Sequence, residues 1–557
     1  MTFRSIINMN QYSSNPQRSP YLWIPVLVSL AFVVGIVLGL RLQVASPSIE
    51  LVKGDLVPNA IGNGKVEELI RYIEAKYVDE VDRDILMDEA INEVLQQLDP
   101  HSSYLNAEQV RDVREQLEGN FDGIGVEFMI LDDTIVVIAP LAGGPSEAVG
   151  VMAGDRIVMI EDSLVAGVGI ESPGIMKMLR GQKGEEVQVG ILRPGEKELR
   201  DFTITRDKIP VHSVDVAYML NEKTGYIKVN RFSATTYQEF MKGVEELVEN
   251  QGMEDLVVDL RQNPGGYLRE ATEMLSQLFQ DREKLLVYTE GRTSNRQEYK
   301  STGRPFFRVG QVVVLIDEGS ASASEIMAGA LQDHDRALIV GRRSFGKGLV
   351  QEQYPLSDGS AIRLTVARYY TPSGRSIQKD YNDRSEYRKE MVNRFSTGEL
   401  ISEDSIPQLD SVVYYTSSGR PVYGGGGIRP DVFVPLDTQY MNETYLSMRA
   451  YLPQFILRNM EQFNSLGEGQ ALTQFQESYQ PRWEDIEAWA AYTEDKGIQV
   501  DPAELTALKS KLMVAYKARV AKQLYGDEGY FSILNSEDPD IITALELIRE
   551  KQPITSN

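Results

Sequence analysis

Residues 312–333 read VVVLIDEGSASASEIMAGALQD, a stretch in which a strand pattern gives way to a helix pattern. The apolar run at 312–316 is typical of a buried strand, and the alanine-rich run that follows favours a helix. Between them, Ser320, Ser322 and Ser324 alternate with alanine. A side chain at such a turn faces the helix N-terminus, where unpaired amides and the helix dipole stabilise developing negative charge. The same serines also suit helix capping beside closely packed alanines, so the turn alone does not identify a nucleophile.

The neighbouring segments repeat this alternation of strand and helix. DLVVDL at 255–260 is a predicted strand, followed by the loop RQNPGG and a predicted helix over about 268–279. ALIVG at 337–341 is another strand, and LVQEQYPL and SAIRLTVARYYT are two more, joined by the turn SDG. Alternating strands and helices predict an α/β layer whose active-site loops lie at the ends of strands.

The composition limits the classes of function that fit this chain of 557 residues. The length predicts several domains, and the net charge of -25 argues against binding to a nucleic-acid backbone. The absence of cysteine excludes disulfides and thiolate catalysis, and three dispersed histidines without an HExxH motif argue against a zinc enzyme. The sequence therefore predicts neither a metal nor another cofactor.

Residues 21–40 form an uncharged run, YLWIPVLVSLAFVVGIVLGL. A helix of this length spans a hydrocarbon core of about 30 Å. A cleaved signal peptide is the nearest alternative, but the run is long for one and QVA at 43–45 is a poor cleavage site. We expect an uncleaved transmembrane anchor between a cytoplasmic segment at 1–20 and a linker at 41–64. Basic residues lie on both sides of the run, so charge does not fix its orientation.

The string SFGKG at 344–348 places Lys347 between two glycines, after one predicted strand and before another. A serine nucleophile needs a base, and a lysine with an ordinary pKa of about 10.4 is protonated at neutral pH. Burial that lowers this pKa to about 7 to 8, at a cost of roughly 4 kcal/mol, would make the amine a general base. Gln351 lies on the same face of an extended segment and can hold the amine. The alternative is a surface turn; a P-loop is excluded because glycine follows the lysine.

An acyl transfer also needs donors for the oxyanion, and backbone amides that are fixed before reaction serve best. The amide of Ala323 directly follows Ser322 and is one candidate. The loop NPGG at 263–266 offers the amide of Gly266 as a second, although this string also fits a simple turn.

Two modules precede this α/β region. Residues 65–118 carry apolar residues at helical spacing, and LDPHSSYL divides them into two helical pieces. Residues 119–206 change to strand patterns, including a hairpin in which GVEFMI and TIVVIAP flank LDDT. At its start, the amides of Ile124, Gly125 and Val126 can form a nest for a terminal carboxylate, while the adjoining strand edge pairs with an extended peptide. A β-bulge is the alternative interpretation of this loop.

Three strings in order, DLRQNPGG, EGSASASEIMAGALQDHDRALIVG and SFGKGLVQ, resemble the C-terminal processing peptidases, a family of serine–lysine endopeptidases. FDGIGVEF and AGGPSEAVGVMAGDRIVMIED resemble the PDZ domain of that family, LDPHSSYL its N-terminal helical segment and GGIRPDV its late strand. The likeness covers about residues 65–375 and 426–437. It implies a multidomain α/β and β fold, with a core of the crotonase and Clp-protease α/β spiral type, an inserted PDZ domain, N-terminal helices and a C-terminal helical region.

The resemblance also implies roles for particular residues. They are Ser322 as nucleophile, Lys347 as general base, Gln351 as the residue that orients the base, Ala323 and Gly266 as oxyanion donors, and Asp333 as an acidic support.

Domain boundaries follow from these patterns. After the linker we expect a helical segment at 65–118, a PDZ domain at 119–206, a protease core at 207–375, an insertion at 376–425, a late core strand at 426–440 and a helical region at 441–557. The insertion and the long C-terminal region depart from the family pattern, and the sequence gives neither of them a role.

The resulting expectation is a serine endopeptidase with a single span in the inner membrane and a periplasmic catalytic part, an orientation taken from the family. Expected substrates are proteins with unstructured apolar C-termini, bound by a PDZ domain that gates activity. A homo-oligomer or an adaptor is possible.

Three alternatives fit less of the sequence. They are a non-catalytic PDZ scaffold with an inactive core, a crotonase-type acyl-CoA enzyme, and a serine–histidine hydrolase that uses His334 with Asp333 or Asp335 beside it. His334 falls roughly 18 Å along the helix from Ser322, too far for direct contact.

Overall fold

The computed structural model describes residues 65–407, 412–467 and 469–550, and the chain divides into two units, 1–86 and 87–557. The predicted cytoplasmic segment, anchor and linker at 1–64 lie outside the described residues. In the three described stretches, no helix is both long and apolar enough to cross a membrane.

The N-terminal segment contains three helices where the sequence predicts two helical pieces. Its elements are α1 (Lys65–Lys76), α2 (Arg83–Gln96), β1 (Ser103–Leu105) and α3 (Ala107–Glu118). Asn106 caps α3 by accepting a hydrogen bond from the Gln109 amide, and Gly119 ends it with a φ of 70°. β1 has three residues, too few to show an alternating pattern, so the sequence indicates a break there and no strand.

The predicted PDZ module is an antiparallel sheet with two short helices. Its elements are β2 (Asn120–Gly123), β3 (Val126–Leu131), β4 (Thr134–Pro140), α4 (Pro145–Ala148), β5 (Arg156–Ile160), β6 (Ser163–Leu164), α5 (Ser172–Leu179), β7 (Glu186–Leu192), β8 (Arg200–Thr205) and β9 (Asp207–Pro210). The order is β3–β4–β5–β7–β8 with β6 on β5, and β2 pairs with β9. The predicted hairpin is present, and Asp132 and Asp133 turn it with φ angles of 47° and 55°. β3 is therefore an edge strand of this sheet.

The region from 211 to 441 contributes to two large sheets and forms a separate two-stranded sheet of residues 413–415 and 421–423. Its elements are β10 (Val214–Met219), β11 (Thr224–Val229), α6 (Thr236–Glu245) with a π-helical turn (Glu246–Asn250), β12 (Asp255–Asp259), α7 (Leu268–Gln277), β13 (Arg282–Glu290), β14 (Gln297–Thr302), β15 (Val312–Ile316), α8 (Ala323–Asp333), β16 (Leu338–Gly341), β17 (Leu349–Pro355), β18 (Ala361–Tyr370), α9 (Arg384–Ser396), a 3₁₀ turn (Glu403–Ser405), β19 (Val413–Tyr415), β20 (Pro421–Tyr423), β21 (Val432–Phe433) and a second 3₁₀ turn (Thr438–Met441). The first sheet runs β10–β11–β12–β15–β16–β21 and is parallel except for β10. The second is antiparallel, in the order β1–β18–β13–β14 with β17 also on β18. β1 thus joins the N-terminal segment to this second sheet.

Both faces of the parallel sheet are apolar, because alternate residues of a strand point to opposite faces. Val312, Val314 and Ile316 of β15 pack in the core that contains α6, α7 and α8. Val313 and Leu315 pack on the opposite face, against the last helix of the chain. The run that the sequence predicts as a buried strand is therefore buried on both sides, and it ends at the serine turn.

The insertion at 376–425, to which the sequence gives no role, contains regular elements. It contains the 13-residue helix α9 and the hairpin of β19 and β20. Charged pairs anchor this helix: buried Arg394 lies 2.9 Å from Glu399, and Glu390 lies 3.0 Å from Lys379. A helix held by buried ion pairs has no regular apolar stripe, so the sequence pattern does not reveal it.

The C-terminal region is helical, as predicted, over the described residues up to 550. Its helices are α10 (Glu443–Arg458), α11 (Met460–Gly467), α12 (Leu472–Ser478), α13 (Trp483–Glu494), α14 (Pro502–Ala507), α15 (Lys509–Asn535) and α16 (Pro539–Arg549). Most of them share a core that includes Trp489 and Tyr516. α16 instead lays Ile541, Ala544 and Ile548 on the parallel sheet.

Arg261 ties α16 to the loop that follows β12. Its guanidinium lies 2.8 Å from both Asp538 and Asp540, and 2.7 Å from Asp259. Burial raises the pKa of Asp540 to about 6, although Arg261 opposes this shift. The RQNPGG loop is therefore braced by the C-terminal region, a contact that the sequence does not indicate.

Candidate active site

Three serines follow β15, and they differ in their exposure to solvent. Ser320 and Ser324 are fully buried, and their hydroxyls donate to the carbonyls of Leu260 at 2.8 Å and Asn263 at 2.9 Å. Ser322 is half-buried at the start of α8, with φ 55° and ψ -112°. A positive φ is uncommon for a residue with a side chain and is typical of strained functional turns. The two outer serines hold the turn to the neighbouring loop, which leaves Ser322 as the candidate nucleophile.

The NPGG loop lies directly against this turn. A Cβ atom at Gly265 would lie 2.7 Å from the Cβ of Ser322 and 2.9 Å from the nitrogen of Ala323. A side chain at Gly266, which has a φ of 146°, would collide with the carbonyl of Phe232. Both positions therefore require glycine, and the two predicted oxyanion donors, Ala323 and Gly266, belong to adjoining loops.

Lys347 lies between β16 and β17 and is half-buried. Its amino group donates to Oε1 of Gln351 at 2.9 Å. Burial lowers the pKa of Lys347 below its ordinary value, and the positive charge of Arg363 adds to this effect. Glu325 and Asp99 act in the opposite direction. The net shift favours the neutral amine that a general base requires.

Glu325 joins the serine turn to the lysine loop, and the sequence analysis did not single it out. Its buried carboxylate accepts hydrogen bonds from the amides of Ser322, Gly346 and Lys347 at 2.7 to 2.8 Å, and from the hydroxyl of Ser344 at 2.6 Å. Burial raises the pKa of Glu325 to about 7, although these hydrogen bonds oppose the shift. The signal that would have identified it is the S-x-x-E spacing of a capping box from Ser322 to Glu325.

Tyr369 provides a second link between the same two loops. Its hydroxyl lies 3.0 Å from the carbonyl oxygen of Ser322 and also contacts the carbonyl oxygen of Lys347. The side chain is 1% exposed, so this link is shielded from water. The backbones on both sides of the candidate dyad are thus held by side chains of the core.

His101, from the loop before β1, also reaches this site. Its carbonyl accepts a hydrogen bond from Nε2 of Gln351 at 2.7 Å, and its Nε2 lies 2.7 Å from the hydroxyl of Tyr387. Burial lowers the pKa of His101 to about 4, and the charge of Lys347 contributes. The imidazole is therefore neutral at neutral pH, and its backbone fixes the glutamine that holds the amine of Lys347. The sequence does not predict this contact, because 250 residues separate Gln351 from His101.

Asp333 and His334 lie at the other end of α8 from Ser322. Asp333 pairs with the buried guanidinium of Arg375 at 2.8 Å and accepts from the amide of Ser373 at 2.9 Å. His334 Nε2 lies 2.6 Å from the carbonyl oxygen of Leu285. An eleven-residue helix rises roughly 16 Å, so the structure does not bring these two side chains together with Ser322.

The predicted peptide-binding loop lies at the start of β3. Ile124 is buried, and its carbonyl accepts from the amide and the hydroxyl of Ser146 at 3.1 and 2.6 Å. Gly125 has a φ of 71°, and Val126 begins the edge strand. The loop is therefore fixed by α4 on one side and leads into an edge that an extended peptide can join.

Comparison with known proteins shows which family this chain resembles. Residues 223–383 match the family model described as "Peptidase family S41". The chain is similar to the carboxy-terminal processing protease CtpB of Bacillus subtilis, with 36% identity over 57% of this chain and 65% of that protein. It is also similar to the carboxy-terminal-processing protease of Bartonella bacilliformis, with 37% identity over 56% of this chain and 71% of that protein.

Among solved structures, the PDZ domain of a carboxy-terminal protease from Vibrio cholerae is 29% identical over 16% of this chain and 99% of that domain, with a TM-score of 0.16. From its sequence relatives, the chain belongs to peptidase family S41, among the carboxy-terminal processing proteases. The predicted fold class, a mixed α/β and β multidomain protein with helices in its first and last described segments, is confirmed. The chain spans slightly less than two thirds of the Bacillus relative.

Proposed function

We propose that this protein is a serine endopeptidase that cleaves proteins near their C-termini with a dyad of Ser322 and Lys347. The supporting observation is the environment of Lys347, whose buried amine is held by Gln351 and whose pKa is lowered. Glu325 fixes the same loop to the backbone of Ser322.

In the proposed reaction, the neutral amine of Lys347 takes the hydroxyl proton of Ser322 as its oxygen attacks the scissile carbonyl. The amides of Ala323 and Gly266 stabilise the oxyanion of the tetrahedral intermediate. The resulting ammonium then protonates the leaving amine, and the peptide bond breaks to give an acyl-enzyme. Water attacks this ester with Lys347 again as base, which releases the acid and restores the hydroxyl of Ser322.

Two further residues take positioning roles in this proposal. Gln351, itself held by the carbonyl of His101, keeps the amine of Lys347 in one place. Asp333 acts at a distance, because its pair with Arg375 fixes the far end of α8 against the core.

The activity can be tested with the purified full chain and a folded protein that carries an unstructured apolar C-terminal tail. Intact-mass measurement should show fragments shortened from the C-terminus, and none with Ser322→Ala. A second variant, His334→Ala, should retain cleavage, since His334 lies at the other end of α8. Fragments that persist in Ser322→Ala would reject the proposed nucleophile.

The PDZ domain is proposed to bind the substrate terminus at Ile124, Gly125 and Val126 and to gate the site. A peptide with a free C-terminal carboxylate should be cleaved about tenfold more efficiently than the same peptide with a C-terminal amide, because charged hydrogen bonds are lost. The measurement is kcat/KM for the matched pair. Equal values would contradict recognition of the terminus by this loop.

Residues 21–40 are proposed to anchor the protein in the inner membrane, with residues 41–557 outside the cytoplasm. We expect the full chain to sediment with membranes after a high-salt wash and a variant without residues 1–40 to be released. Protease added to intact spheroplasts should degrade the catalytic part. A full chain that is protected there, or recovered in the soluble fraction, would contradict this topology.

A further inference from the structure

A cavity of about 460 Å³ opens beside the loop that carries Lys347. Its walls combine the N-terminal segment, through Pro100 and Ser102, with Phe345 and the insertion helix α9. The helix contributes Arg384, Tyr387 and Arg388. The insertion, which has no role in the proposed chemistry, therefore forms one side of a cavity next to the site.

This cavity adjoins the loop that carries Lys347, although neither Ser322 nor Lys347 lines it. Phe345 stands two positions before Lys347, and the amide of Lys379 donates to the carbonyl of Gly346 at 3.0 Å. Pro100 and Ser102 flank His101, whose carbonyl holds Gln351. A substrate residue in the cavity would therefore lie close to the peptide bond under attack.

The charges of the wall leave an excess of positive charge. Lys379 and Glu390 pair at 3.0 Å and offset each other, and Glu390 also lies 3.1 Å from buried Arg343. The guanidinium groups of Arg384 and Arg388 make no hydrogen bond or ion pair with any other residue that the structure describes. Two residues with unpaired guanidinium groups thus line a cavity in a protein whose net charge is -25.

Two aromatic side chains of the wall, Phe345 and Tyr387, are held in place. The ammonium of Lys379 lies 3.7 Å from the ring centre of Phe345 and 4.5 Å from that of Tyr387. Tyr387 is also held by His101 at 2.7 Å. These rings suit the methylene stem of a side chain, whereas the guanidiniums suit a carboxylate at its end.

We propose that this cavity is a substrate subsite for an acidic side chain, glutamate or aspartate, near the scissile bond. The inference rests on the proposed peptidase function. An acidic residue is the ligand that two unpaired guanidinium groups lining a cavity recognise best, since Arg binds carboxylates through paired donors.

The test uses the purified full chain and peptides that carry Glu or Gln at each position around the cut. At one position, kcat/KM should favour Glu over Gln about tenfold, which corresponds to about 1.4 kcal/mol. The double variant Arg384→Gln with Arg388→Gln should remove this ratio, and Arg384→Glu with Arg388→Glu should invert it in favour of a Lys peptide. Lys389→Gln removes a charge from the same helix outside the cavity and should leave the ratio unchanged.

Two outcomes would overturn the proposal. Cleavage of Glu and Gln peptides at equal rates in the wild type would remove the subsite and leave the peptidase function standing. Loss of the advantage of a free C-terminus in the double variant would show that the cavity takes the terminal carboxylate instead.

A binding measurement tests the subsite without relying on turnover. The Ser322→Ala protein should bind a Glu peptide about tenfold more tightly than its Gln counterpart in fluorescence anisotropy, and equal affinities would also overturn the subsite. If the double variant does not fold, Arg388→Gln, which changes an exposed side chain, should still lower the ratio severalfold.

Discussion

Replacing Lys347 with alanine is expected to lower kcat/KM by about a thousandfold or more, because the serine then has no base to accept its proton. Lys347→Arg should be equally inactive, since a guanidinium stays protonated. Lys389→Ala removes an exposed lysine and serves as the matched control. Peptide cleavage followed by mass spectrometry measures the effect, and a Lys347→Ala protein that keeps a tenth of the activity would refute the dyad.

The pH profile of the wild type tests the same residue. Burial lowers the pKa of Lys347, so the amine loses its proton at a lower pH than a free lysine does. Activity should therefore rise with pH along a limb whose midpoint lies below about 10.4. A limb whose midpoint lies at the ordinary lysine pKa of about 10.4 would show that the amine is not desolvated in the working enzyme.

Glu325→Gln is the second substitution with a large expected effect. Each carboxylate oxygen of Glu325 accepts hydrogen bonds from two donors. In Glu325→Gln an NH2 group replaces one of these oxygens and faces two hydrogen-bond donors. We expect a loss of about 1 to 3 kcal/mol of stability for the unsatisfied groups and a fall of about a hundredfold in kcat/KM as the two loops separate. Glu249→Gln, at an exposed position, is the control.

The same residue predicts a pH dependence of stability. The pKa of Glu325 is raised to about 7 from an ordinary 4.5 in the unfolded chain, so its contribution is complete below 4.5. That contribution is lost as pH rises through about 7, because folding then buries a charge that the unfolded state solvates. Thermal unfolding between pH 4 and 8 should show this loss in the wild type and not in Glu325→Gln. Parallel curves for the two proteins would contradict the assignment.

Sequence patterns predict the parts of this molecule that depend on local order. Ser322 and Lys347 stand in strings that join one strand to the next element, and Gln351 follows from the period of an extended segment. The local pattern does not choose among Ser320, Ser322 and Ser324, and only the family resemblance indicates Ser322. Burial distinguishes the three serines, and it depends on the loop after β12.

The parts that the sequence missed depend on long-range or charged contacts. His101 meets Gln351 through the pairing of β1 with β18, and a three-residue strand has too little pattern to indicate a partner. The insertion helix packs through Arg394 and Glu399, so it lacks the apolar period by which helices are recognised. In the sequence, Arg261 is one basic residue of a loop, and no local pattern indicates that it pairs with Asp538 and Asp540.

The position of α16 has a consequence for the order of events during synthesis. Residues 539–549 are synthesised after the serine turn, yet they cover one face of the sheet that carries it. Until they arrive, that face is open to water and Arg261 has no carboxylate from the tail. A chain that stops before α16 should therefore leave Val313 and Leu315 exposed and the loop after β12 without this brace.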